Sequence, residues 1–177
     1  MATVAEAAGT PAASTGVLSH ATRERIRTAR ARYPSPRSAA LPALWAAQDQ
    51  LGHVPAEAMA EVADELGIGA AEVEAVATFY AMYFRRPPGR HFIQVCTNVS
   101  CALRGADDLL RHLEQRLGVA DGGTSADGCF TLESTVECLG ACGGAPALQV
   151  DRYSHEDCTA ERVDQLLDRL RAEGAGS

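Results

Sequence analysis

Four of the six cysteines in this chain fall in two close pairs. Cys96 and Cys101 bracket "CTNVSC", a C-x4-C spacing without a charged residue, and Cys138 and Cys142 bracket "CLGAC", a C-x3-C spacing followed by Gly143 and Gly144. Four thiolates from two loops can hold a 2Fe-2S cluster, two sulfurs per iron, or one tetrahedral zinc. Zinc pairs usually come as tight C-x2-C knuckles, and the small residues of "CLGACGG", including Gly140, suit a loop that wraps a cofactor and turns its amides toward sulfur. The spacing therefore favours iron-sulfur and leaves zinc open. Disulfides within the pairs would close very short loops and need an oxidising compartment. Cys129 and Cys158 have no partner by spacing and read as buried reduced thiols, or as a redox pair if the fold brings them together. Glu133 and Glu137 precede Cys138. Beside a cluster they would lower its potential, and as solvated acids they would do little.

These loops need a frame. "HFIQVC" has the apolar density of a buried strand ending on Cys96. Each pair is read in the same way, as an extended segment that ends at the first thiol. "GADDLLRHLEQRLG" reads as an amphipathic helix with Leu110, Leu113 and Leu117 inward and Gly118 as its stop. "CFTLEST" and "PALQVDRY" read as two further strands. "TAERVDQLLDRLRAEG" closes the chain as a helix capped by Thr159, with Val163, Leu166, Leu167 and Leu170 inward. The order strand, helix, strand, strand, helix predicts a small α/β sandwich with a mixed sheet, compatible with a thioredoxin-like layout.

Residues 18–84 carry helical periodicity instead. The polar "ATRERIRTARARY" leads into the break "PSPRS". "LPALWAAQDQLG" puts Leu41, Leu44, Trp45, Gln48 and Leu51 on one face, with Ser38 as expected N-cap and Gly52 as stop. "VPAEAMAEVADELG" opens with Pro55 in its first turn and aligns Met59, Val62 and Leu66 before Gly67. "AAEVEAVATFYAMYF" continues with Val73, Val76, Ala77 and Tyr80. The expected fold class is α/β, an N-terminal helical bundle followed by a thioredoxin-like domain.

Composition narrows the function. The 177 residues carry a net charge of −7 with no lysine. Residues 1–90 balance nine Arg against nine acids, whereas 91–177 set seven Arg against fourteen acids and hold all of the excess. An acidic chain is not built for nucleic acid or an anionic membrane surface. No run reaches the roughly 18 apolar residues of a membrane span, so no direct membrane insertion is expected. "MATVAEAAGTPAASTG" lacks the basic and apolar regions of a signal peptide and reads as a disordered tail. A cytoplasmic location follows. No G-x-G-x-x-G follows a strand, so the chain is not expected to oxidise NADH alone.

The run "GHVPAEAMAEVADELGIGAAEVEAVATFYAMYFRRPPGRHFIQVCTNVSCALRGAD", followed by "DGCFTLESTVECLGACGGAPALQV", resembles the small thioredoxin-like 2Fe-2S subunit of NADH dehydrogenase modules. This is the E-type component of complex I, with equivalents in NAD-linked hydrogenases and formate dehydrogenases. The similarity spans about residues 18–171, and the combination of "VATFY", C-x4-C-x-L-x-G and "VECLGAC…AP" carries it. The resemblance implies one 2Fe-2S cluster on Cys96, Cys101, Cys138 and Cys142, with no catalytic residue on this chain. It implies as partners the flavin- and NADH-binding subunit, which alone would carry FMN and NADH and against which the bundle packs, and its iron-sulfur neighbour. It implies an electron-transfer subunit of an NADH:quinone oxidoreductase, cytoplasmic and peripheral on the inner face of the membrane. The alternatives are the same subunit of a formate dehydrogenase or hydrogenase, and a zinc-stapled thioredoxin-like binding module. The expected divisions are a tail at 1–17, a helical bundle at 18–86, a thioredoxin-like 2Fe-2S domain at 87–172 and a tail at 173–177.

Overall fold

Ser19 opens the helical half by accepting a hydrogen bond from the Thr22 amide, the N-cap contact that satisfies one of the free donors of a first turn. The computed structural model describes residues 16–173, so the expected tails at 1–17 and 173–177 lie outside them except for residues 16, 17 and 173, the last of which ends a helix. Of the predicted N-terminal tail, Val17 is described, and its amide donates to Glu61 at 2.6 Å. The chain divides into two units after Pro87.

The first unit contains α1 (His20–Arg30), α2 (Ala40–Leu51), α3 (Ala56–Leu66) and α4 (Ala70–Phe79). Its core gathers Leu18, Ile26, Leu44, Val54, Val62, Leu66 and Val73. On α2 the alanines 40, 43, 46 and 47 are buried with Leu44 and Gln48, whereas Leu41, Trp45 and Leu51 are only partly covered. Small residues let neighbouring helices approach, so the larger side chains lie at the rim of the contact.

Ser38 does not cap α2. It lies in a 3-10 turn, Pro36–Ala39, that Pro36 starts and that feeds into α2 with Ala39 already near helical geometry. Pro55 is the N-cap residue of α3 and precedes its first turn. Gly52 and Gly67 end their helices at φ 74° and 69° as expected. The last helix of the unit stops at Phe79 and not at 84. Residues 80–84 fold back instead, held by buried Gln48, which accepts from the Phe84 amide at 2.7 Å and donates to the Met82 carbonyl at 2.9 Å. Arg23 pairs with Glu61 and Glu65, and Arg27 with Glu65, tying α1 to α3.

The second unit runs β1 (His91–Cys96), α5 (Val99–Leu103), α6 (Ala106–Leu117), β2 (Phe130–Thr135), β3 (Leu148–Val150), β4 (Tyr153–His155) and α7 (Ala160–Glu173). The sheet order is β2-β1-β3-β4, with β1 and β2 parallel and the other pairs antiparallel. The mixed sheet agrees with the sequence reading, but two elements exceed it. The turn-length helix α5 has no counterpart in that reading, and "PALQVDRY" forms two strands. Asp151 and Arg152 both have positive φ, 51° and 76°, and make the two-residue hairpin turn between β3 and β4.

Ile93, Val95, Phe130, Leu132, Leu148 and Val150 of the sheet pack with Leu109, Leu113 and Leu117 of α6 and Val163, Leu166 and Leu167 of α7. Leu109, not Leu110, takes the fully buried position on α6. Thr159 caps α7 through Oγ1, which accepts from the Arg162 amide. No helix among the described residues is long and apolar enough to cross a membrane.

Candidate metal centre

Because β1 and β2 are parallel, with Cys96 opposite Thr135 at their ends, the loops that follow them leave the sheet at the same edge. That edge, at the carboxyl ends of parallel strands, is where open α/β sheets place their sites. Both cysteine pairs lie there.

The first pair is buried. Cys96 ends β1, its amide donates to the Ala147 carbonyl at 3.1 Å, and its sulfur lies 3.9 Å from the Glu137 carbonyl. Cys101 sits in the middle of α5, hydrogen-bonded to Cys96 and to the Ala147 amide. Ala147 thus contacts both residues of the pair through its backbone. Burial pushes the Cys101 thiol up, the Ala147 amide works against that rise, and neighbouring Cys96 and Cys142 add to it.

The second pair is exposed. Cys138 and Cys142 hold their sulfurs 3.3 Å apart, and the Gly140 amide donates to the Cys138 sulfur at 3.4 Å. Gly140 has φ 80°, a conformation that a side chain would strain, so the turn that aims this amide depends on glycine. The amide is the main reason the Cys138 thiol is pulled below its ordinary range, with the Cys142 contact second. The Cys142 thiol is pushed up by Cys138, an effect that the Ser100 hydroxyl opposes by donating to its sulfur. Ser100 belongs to α5, so this bond joins one cysteine loop to the other.

Further bonds lock the loops together. Thr97 donates to the Thr135 carbonyl through its amide at 2.8 Å and its hydroxyl at 3.0 Å. Asn98 caps α5 by accepting from the Val99 amide at 2.9 Å, and its side-chain amide donates to the Val136 carbonyl at 2.7 Å. Cys96 and Cys101 also share a small core with Ala106, Ala145 and Ala147, against which Leu139 and Ala141 pack.

Among the described residues, no three His, Cys, Asp or Glu side chains converge as a group that could hold a single ion. The two pairs lie close enough to act on each other electrostatically, since Cys142 pushes the Cys101 thiol up and Cys96 pushes the Cys142 thiol up. Such a set can offer two soft ligands to each of two metal ions.

An extended segment does end at Cys96, but Cys138 lies three residues beyond β2, on the loop begun by Val136 and Glu137. Glu137 is exposed, and Glu133 lies within β2 opposite Gln94. Cys129 and Cys158 belong to the sheet core, away from the small core of the pairs, as free thiols. Cys158 donates to the His155 carbonyl, and burial pushes its thiol up. The sequence reading missed Asn98, Ser100 and Ala147. Asn before "VSCAL" is a capping signal that marks α5; nothing local marks Ala147.

The model of the thioredoxin-like [2Fe-2S] ferredoxin family matches residues 26–171. The chain belongs to this family. Membership in the thioredoxin-like ferredoxins implies a 2Fe-2S cluster, and the helical bundle followed by a thioredoxin-like domain is this family member's fold. The chain is similar to an E-type component, the one numbered 2, of the NADH-quinone oxidoreductase of Rhizobium meliloti, 50% identical over 150 residues, covering 85% of this chain and 89% of that protein. It is also similar to the E-type component of the NADH-quinone oxidoreductase of Salmonella typhimurium, 42% identical over 154 residues, covering 87% of this chain and 92% of that one. Among solved structures, an NAD+-reducing [NiFe]-hydrogenase in its air-oxidized state aligns with a TM-score of 0.62 and 26% identity over 73% of this chain. This chain spans only 23% of that hydrogenase chain.

Proposed function

We propose that Cys96, Cys101, Cys138 and Cys142 hold one 2Fe-2S cluster, and that the chain is the electron-transfer subunit beside the flavin-binding subunit of an NADH:quinone oxidoreductase. The observation that carries the reading is the meeting of two thiol pairs at the common end of β1 and β2. The names of the two NADH-quinone oxidoreductase relatives support the parent complex.

When bound, the cluster supplies a one-electron carrier. The chain's residues hold and tune it. Cys96 and Cys101 provide the buried pair of ligands, and Cys138 and Cys142 the exposed pair. The amides of Ala147 and Gly140 and the Ser100 hydroxyl face sulfur, where hydrogen bonds spread negative charge and set potential. FMN and NADH belong on the partner subunit, which completes the hydride chemistry that this chain lacks. The partner's iron-sulfur neighbour forms the rest of the setting, on the inner face of the membrane. The helical unit and the sheet unit act as two domains, 18–86 and 87–172.

Anaerobically purified protein tests the reading. Two irons and two sulfides per chain, with a rhombic electron paramagnetic resonance signal after dithionite, are expected. Colourless protein with stoichiometric zinc overturns it. The structural likeness to the hydrogenase favours a second reading, the same role in an NAD-linked hydrogenase. Affinity purification from the native cell separates the two by whether nickel-containing or quinone-reducing subunits come with the chain.

A further inference from the structure

We infer that Glu156 and Asp157 are positioning residues for the exposed cysteine pair, holding Gly144 so that the turn carrying Cys142 keeps its shape around a bound cluster. The inference rests on the function proposed above and deepens it. Both residues lie on the segment between β4 and α7, well past the cysteine motif in sequence, and neither is a ligand.

Gly144 is the joint between that segment and the cysteine loop. Its amide donates to the Ala141 carbonyl at 3.2 Å and closes the 3-10 turn Cys142–Gly144. Its carbonyl accepts from the Asp157 amide at 2.6 Å, and the Pro146 carbonyl accepts from the Cys158 amide at 2.9 Å. Packing adds a further contact. Gly144 is buried, and a Cβ there would stand 2.6 Å from the Cβ of Glu156 and 3.0 Å from its carboxyl carbon, distances that no packed Cβ tolerates. The Glu156 side chain therefore fills the space that any other residue at 144 would need, a close approach that glycine alone permits.

The segment that does this is itself held firmly. Asp157 turns at φ 49°, its carbonyl accepts from Arg162 Nη1 of α7 at 2.8 Å, and the Cys158 thiol bonds back to the His155 carbonyl. On the other side, Ala145 and Ala147 pack with Cys96 and Cys101. Residues 144–147 thus join the turn of the exposed pair to the core of the buried pair, and residues 156–158 pin that junction. Iron bound by both pairs leaves when one ligand loop opens, and such local openings are governed by the contacts that hold the loop. Glu156 is exposed, so its carboxylate charge is screened and the side chain acts by filling space.

The test uses the full chain purified anaerobically with its cluster, and reads iron loss to a chelator and the electron paramagnetic resonance line shape after reduction. Glu156→Ala should release iron at least about fivefold faster and broaden the signal, with melting temperature near that of the wild type. Glu156→Gln keeps the shape without the charge and should match the wild type in both readouts. Gly144→Ala should also release iron faster, and adding Glu156→Gly to it should slow the loss again by removing the clash. Unchanged iron loss in Glu156→Ala overturns the inference. Equal changes in Glu156→Ala and Glu156→Gln overturn it as well, because charge and not packing would then act, as do additive effects in the double variant. Wild-type protein that takes up no cluster, read separately from its absorbance, overturns the underlying function and the inference with it.

Discussion

Asn98 and Val136 are joined by a 2.7 Å hydrogen bond from the asparagine side-chain amide to the valine carbonyl. One residue thereby caps the helix that carries Cys101 and holds the loop that leads to Cys138. Asn98→Ala should remove both contacts, costing about 1 kcal/mol for the cap and about 1 kcal/mol for the second bond. Asn98→Ser keeps a capping oxygen but cannot reach Val136. It should recover most of the stability in urea titration while the midpoint potential of the bound cluster stays displaced. Recovery of the potential by serine would show that Asn98 acts only as a cap.

The four paired cysteines and the two core cysteines should separate by iron content. Cys96→Ala, Cys101→Ala, Cys138→Ala or Cys142→Ala should each abolish the visible iron-sulfur spectrum. Cys129→Ala and Cys158→Ala should retain full iron and lose roughly 1 kcal/mol of stability, because each removes one buried sulfur from the sheet core. Loss of iron in either core variant would move that cysteine into the site.

Glu137 presents its carbonyl toward the Cys96 sulfur, but the residue itself is exposed. A screened charge a few ångströms away interacts by about 1 kcal/mol in water, equivalent to about 40 mV for one electron. Glu137→Gln should therefore raise the cluster potential by no more than about 40 mV in a redox titration. A larger upward shift would mean that the carboxylate meets the cluster in a poorly hydrated environment.

Glu65 supplies a pH dependence in the helical unit. Burial alone would raise its carboxyl, but hydrogen bonds from Arg27 and Arg23 outweigh it and hold the group below its ordinary range. Its contribution to stability is therefore full above the ordinary glutamate pKa of about 4.3 and is lost as pH falls through the lower folded value. Urea titrations from pH 7 to pH 3 should show this decline, and Glu65→Gln should flatten the part that Glu65 contributes. An equal slope in both proteins would assign the acid sensitivity to other carboxylates.

Much of the molecule was legible locally. Gly52, Gly67 and Gly118 stop their helices in the left-handed conformation, and Thr159 caps α7, because these signals act through the nearest backbone. β1 begins and ends where its apolar run does. Ser38 failed as a cap because Pro36 had already started a tighter turn, and the face of α2 was misread because helix contact there favours alanine over bulk. Gln48 falls on the inward face as expected, but its partners, the Met82 carbonyl and the Phe84 amide, come from the returning segment and only the tertiary structure supplies them.

By itself the sequence determined the two thiol spacings, the glycine that lets the Cys138 loop turn, the helix boundaries near their caps and the acidity of the second half. Only the tertiary structure decided that the thiol pairs meet, that one is buried and the other exposed, and that Ala147, Ser100 and Asn98 join them. The reason is physical. Spacing and capping are settled within a few residues, whereas the parallel register of β1 on β2 depends on burying Ile93, Phe130 and Leu132 with α6 and α7 across the whole unit.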